Sequence, residues 1–60
     1  MNHPKTEPCY VLLRTDDGAV TIKLIMWTRE DVEAEVSRLN ALNGDEHTHY
    51  DWVLSRAVRR

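Results

Sequence analysis

One cysteine, no phenylalanine, two glycines and two prolines leave this 60-residue chain few devices for holding a small fold together. Cys9 alone cannot form an intrachain disulfide, and a single thiol suits a reducing compartment better than a secreted one. No cysteine pair is present to complete a tetrahedral metal site. The apolar runs are only a few residues long, far short of the ~20 residues that cross a bilayer. The N-terminal Met-Asn-His-Pro-Lys carries no apolar h-region, so no signal peptide is expected. The cytoplasm is the expected location. Neither sign of charge dominates: eight Lys and Arg against ten Asp and Glu give a formal net charge of −2. That balance disfavours nonspecific nucleic-acid binding, which depends on neutralising phosphates. A local basic patch remains at Arg56, Arg59 and Arg60. Repeats, low-complexity segments, a Ser-His-Asp order, a phosphate loop and a paired-carboxylate pattern are all missing.

Size adds a further constraint. A chain this short buries only about 60% of its unfolded surface, so a lone core is marginal and a partner chain is the usual remedy. It also leaves little room for a water-excluding pocket. No enzyme and no cofactor is expected.

What is there begins with an amphipathic helix between Trp27 and Gly44. Thr28 is a good N-cap, and Asp31 three residues later makes a short-armed capping box. Trp27 before the cap and Val32 in the first turns are spaced as a hydrophobic staple. Glu30, Asp31 and Glu33 place negative charge at the positive end of the helix dipole. Val32, Val36, Leu39 and Leu42 form one stripe, with Glu35 inside its edge. Gly44 suits a left-handed position after the helix. One stripe of four aliphatics is not stable alone in water, so a flat apolar surface must cover it.

Residues 1–8 read as a flexible N-terminal arm, residues 9–58 as the single domain, and residues 59–60 as a basic end. Within the domain, residues 9–26 read as a hairpin around Asp17-Gly18, a strong type I′ turn signal. An unbroken ladder from that turn pairs Asp16 with Ala19, Leu13 with Ile22, Val11 with Leu24 and Cys9 with Met26. Cys9, Val11 and Leu13 then face the helix, while Tyr10, Leu12, Arg14, Thr21, Lys23 and Ile25 face away. Residues 50–57 are rich in aromatic and branched side chains and read as a third strand. Turning Tyr50, Trp52 and Leu54 inward gives a small core two aromatics. A C-terminal helix capped by Asp51 is the competing reading of this segment. The expected fold is α+β: ββαβ, a three-stranded antiparallel sheet of order 2-1-3 with one helix on one face.

The uncovered face carries the functional reading. It is expected to present Tyr10, Leu12, Ile25 and Val53, fringed by Arg14 and Lys23, and a contiguous apolar patch marks an interaction site. The first use is self-association as a homodimer through the sheet, which supplies the missing core. The second is a protein partner on the same surface, with the strand-two edge available for an added strand. The third is single-stranded nucleic acid, stacked on Tyr10 and held by Arg14, Lys23 and the C-terminal arginines. The His47-Thr-His49 spacing can turn two imidazoles toward one ion in an extended segment, although solvated loop histidines account for it as well. Cys9, at a strand start on the core side, reads as a small packing residue rather than a nucleophile. The chain is therefore expected to be a small non-enzymatic protein-binding or regulatory module of the cytoplasm, without metal and without membrane attachment.

Overall fold

The computed structural model describes residues 5–43 and 45–58. Its elements run β1 (Glu7–Asp16), β2 (Ala19–Met26), α1 (Arg29–Leu42) and β3 (Thr48–Ala57). The strands form one antiparallel sheet of order β2-β1-β3, and the helix packs against it. This is the α+β arrangement expected from the sequence, with residues 48–57 a strand rather than a helix.

The hairpin turns where the Asp-Gly pair places it. Asp17 has φ 53° and Gly18 φ 87°, two successive positive values that match a type I′ turn. A Cβ on Gly18 would meet nothing within 4 Å, so glycine is favoured there by backbone conformation alone. From the turn the ladder runs as expected through Thr15–Val20 and Arg14–Thr21 to Leu13–Ile22. It then breaks. The next pairs are Leu12–Leu24, Val11–Ile25 and Tyr10–Met26, leaving Lys23 as an extra residue in β2.

That β-bulge corrects the expected faces. An unbroken ladder sets Lys23 opposite Leu12 and sends Leu24 and Met26 to the side of Val11 and Leu13. The bulge removes Lys23 from the ladder and brings Leu24 and Met26 beside Leu12 and Tyr10. On the other side of β1, Leu12 pairs with Trp52, Tyr10 with Leu54 and Arg14 with Tyr50. Tyr10, Leu12, Leu24, Met26, Tyr50 and Trp52 therefore share one face, because side chains alternate along strands. The helix lies on that face: Leu12 and Val32 are both 0% exposed. The inward turn of Tyr50 and Trp52 is as expected, whereas Leu54 shares their face but is 65% exposed; Tyr10, Leu12 and Arg14, expected to face outward, lie on the helix side.

The helix forms for the reasons its sequence offers. Thr28 is extended (φ −128°, ψ 144°), and its side-chain oxygen accepts from the Asp31 N–H at 3.3 Å. Arg29 pairs with Glu33 at 2.7 Å, and Arg38 pairs with Glu35. Asn43 caps the other end in an extended conformation, its N–H bonded to the Leu39 carbonyl at 3.0 Å. The expected left-handed role of Gly44 lies outside the described residues, as do residues 1–4, 59 and 60. Along the stripe Val32 is buried, Val36 and Leu39 are half-buried, and Leu42 is exposed.

β1 also starts earlier than the flexible arm allows, at Glu7. Arg56 on β3 holds the preceding residue: its Nε donates to Thr6 Oγ1 at 3.0 Å and its Nη2 to the Thr6 carbonyl at 2.8 Å. Pro8 is tolerated in the middle strand because the β2 ladder ends at Tyr10, so no pairing partner there lacks its N–H.

The fully buried apolar side chains among the described residues are Cys9, Leu12 and Val32. A domain of this size is stabilised by about 3–9 kcal/mol in all. Leu12→Ala is expected to remove about 2–5 kcal/mol by cavity formation. Thermal unfolding followed by circular dichroism should lose its cooperative transition; a melt like wild type would show that Leu12 is not the centre of the core.

Candidate functional site

The face turned away from the helix follows from the same register. It carries Val11 and Leu13 on β1, Val20, Ile22 and Ile25 on β2, and Val53 on β3. Val11 and Leu13 sit on the middle strand and are half-buried. Ile22 is 65% exposed and Val53 46%, with Val20 and Ile25 in the same range. These branched side chains form a contiguous aliphatic strip across all three strands. Cys9 belongs to this side by register, opposite Ser55 on β3, yet is 1% exposed. Among the described residues, apart from Glu7 at the far end, Asp51 is the one carboxylate that the register places here.

Of the six residues expected to form an interface, Ile25 and Val53 lie on this strip. Lys23 is exposed at the bulge. Tyr10, Leu12 and Arg14 are on the helix side. Leu12 is fully buried and offers no contact surface. Tyr10 meets Trp52 edge to face, with ring centroids 5.4 Å apart at 72°. Arg29 at the start of the helix lies over the Trp52 ring, 5.6 Å from its centroid, a cation–π contact that ties helix to sheet. The Glu33 hydrogen bond and charge raise the Arg29 pKa. Arg14 lies 3.6 Å from Asp16. The strand aromatics Tyr10, Tyr50 and Trp52 therefore all share the helix side. Val11, Leu13, Val20 and Ile22 are the face residues that sequence reasoning missed. Their only signal was that β1 is apolar on both sides.

The two sheet edges differ from the face in being guarded. On β3, the Asn40 side chain spans one residue of the outer edge: its Nδ2 donates to the Tyr50 carbonyl at 3.0 Å and its Oδ1 accepts from the Tyr50 N–H at 2.9 Å. Asn43 Nδ2 donates to the Thr48 carbonyl, and the Thr48 N–H reaches the Asp45 carbonyl at 3.2 Å. The Trp52 N–H is taken by Asp51 Oδ1 at 2.7 Å. On β2, Lys23 and its bulge occupy the middle of the edge strand.

The turn end of the hairpin is held by the loop before β3. The Asp17 N–H donates to the His47 carbonyl at 2.9 Å, and the buried Thr48 hydroxyl donates to Asp16 Oδ1 at 2.9 Å. His47 lies 4.0 Å from Asp17 and 3.9 Å from Glu46, at the limit of an ion pair, and its side chain is exposed. His49 is on β3, and no group of three or more His, Cys, Asp or Glu converges among the described residues. A shallow groove of about 220 Å³ lies between helix and β2, lined by Met26, Asp31, Ala34, Glu35 and Arg38. It is open to solvent and smaller than the ~300–1,000 Å³ typical of small-molecule sites. No helix of the described residues is long and apolar enough to cross a membrane.

Asn40→Ala removes both bonds to Tyr50, each worth about 1 kcal/mol. Hydrogen exchange at the Tyr50 amide is expected to accelerate about tenfold, with neighbouring β1 amides little changed. Unchanged exchange would show that the asparagine does not guard this edge. No protein-family model, no curated protein and no solved structure matches the chain.

Proposed function

We propose that this chain is a small, non-enzymatic binding and regulatory module of the cytoplasm that works as a homodimer through its sheet and acts on other proteins by contact. One observation carries the reading. Val11, Leu13, Val20, Ile22, Ile25 and Val53 form an uncovered aliphatic strip, while Cys9, Leu12 and Val32 are the fully buried apolar side chains. Sheets are stable when both an apolar face and its cover are present, and this one has a cover on one side only. A second copy supplies the other layer.

The single-stranded nucleic-acid reading draws less support. Tyr10, Tyr50 and Trp52 face the helix side, and Arg56 is engaged with Thr6. Labelled single strands are expected not to bind even at low salt, where phosphate contacts are strongest.

Sedimentation at low micromolar concentration is expected to show a monomer–dimer equilibrium. Because a dimer binds only the folded chain, the melting temperature should rise with protein concentration. A monomer at all concentrations with a concentration-independent melt would contradict the proposal.

A further inference from the structure

We infer, resting on the homodimer reading above, that the two copies meet sheet face to sheet face and leave the strand edges out of the junction. A second copy can join a sheet in two ways, by extending the hydrogen-bonded ladder at an edge or by covering a face. The first needs a row of free backbone donors and acceptors.

The β3 edge offers only a short one, and the β2 edge carries a charge near its middle. Outward-facing backbone groups recur at every second residue of β3, and the first of them are occupied. Both groups of Thr48 and both groups of Tyr50 are bonded within the chain, as is the Trp52 N–H. Only the end of β3 past Trp52 remains, too short to register a partner strand. The β2 edge has no such clamps, but it is eight residues long with Lys23 near its middle. Two β2 edges paired antiparallel about their centres bring two Lys23 ammonium groups close together, and like charges opposed across a ladder are destabilising. No carboxylate pairs with Lys23 among the described residues to relieve that repulsion. The bulge at the same residue bends and twists the edge further from a flat template.

The face has the opposite character. A two-fold pair sets each patch against itself, so the patch must carry little charge of one sign. This one is aliphatic on β1, on β2 and at Val53, flanked by Thr15, His49 and Ser55, and its one central carboxylate, Asp51, is turned to the Trp52 N–H of its own chain. Three strands about 4.8 Å apart and eight residues long present a footprint of roughly 400 Å² per copy before side-chain corrugation is counted. Two such footprints total roughly 800 Å², below the ~1,200 Å² of standard interfaces and in the size class of weak, transient contacts. The strip is covered by a second copy of its own width, and the association is expected in the micromolar range rather than the nanomolar.

Two variants separate the geometries. Ile22→Glu and Val53→Glu lie on opposite edge strands, point away from the helix, and replace exposed side chains. Face-to-face packing requires both positions, so each variant should weaken dimerisation at least tenfold in sedimentation while keeping the wild-type circular dichroism spectrum. A β2-to-β2 edge dimer does not involve Val53, so dimerisation surviving Val53→Glu overturns the face geometry without touching the homodimer reading. A wild type that never dimerises overturns both. Should either variant unfold, wild-type chains mixed as isotope-labelled and unlabelled copies give an independent answer. Methyl contacts between copies at Leu13, Ile22 and Val53 are expected, and contacts confined to β2 backbone amides would overturn the inference.

Discussion

Lys23 stands outside the hairpin ladder, and that single departure decides which side of the sheet is protein interior. A strand has period two, so inserting one residue exchanges the faces of everything beyond it. Without the insertion, an ammonium group would sit beside Leu12 beneath the helix, with Leu24 and Met26 on the far side. With it, Leu24 and Met26 join Leu12 and Tyr10, and the charge is left in water at the strand's outer margin. Placing an unpaired ammonium in a packed layer costs several kcal/mol. A bulge costs a ladder position. The magnitudes favour the bulge.

The helix then closes over a face prepared on all three strands. Its start is fixed by the Thr28 cap and by Arg29 over Trp52, and its end by Asn40 and Asn43 reaching the backbone of β3. Those asparagines do two things at once. They dock the helix, and they occupy the Thr48 carbonyl and both backbone groups of Tyr50 on the β3 edge. The result is a thin, one-sided layer whose edges resist pairing and whose remaining face is aliphatic. That surface presents its branched side chains in a flat strip. The proposed dimer follows from this asymmetry between guarded edges and an unguarded face.

Much of the fold was legible in the sequence. Asp17-Gly18 signalled the turn, Thr28 the helix start, and the aromatic alternation of Tyr50 and Trp52 the inward face of β3. Together these give the 2-1-3 order. The orientation of β1 was not legible, because Cys9, Val11 and Leu13 are as apolar as Tyr10 and Leu12, and periodicity cannot choose between two hydrophobic sides. The deciding information lies in pairing to β3, where Leu12 meets Trp52, and in the bulge, whose only trace is one lysine within an otherwise apolar run. For the same reason the open face was anticipated as a feature but not in its membership. Ile25 and Val53 belong to it, while Tyr10, Leu12 and Arg14 belong to the helix side. The early start of β1 was hidden too, since it depends on Arg56 gripping Thr6 fifty residues away in sequence.

The most direct measurement is the cross-strand pairing of the hairpin by proton NMR. With the bulge, backbone contacts should link Leu13 to Ile22 and Leu12 to Leu24, with Tyr10 opposite Met26 and Lys23 facing no residue of β1. Contacts linking Leu12 to Lys23 and Val11 to Leu24 in an unbroken ladder would return Leu24 and Met26 to the far side and contradict the assignment of both faces.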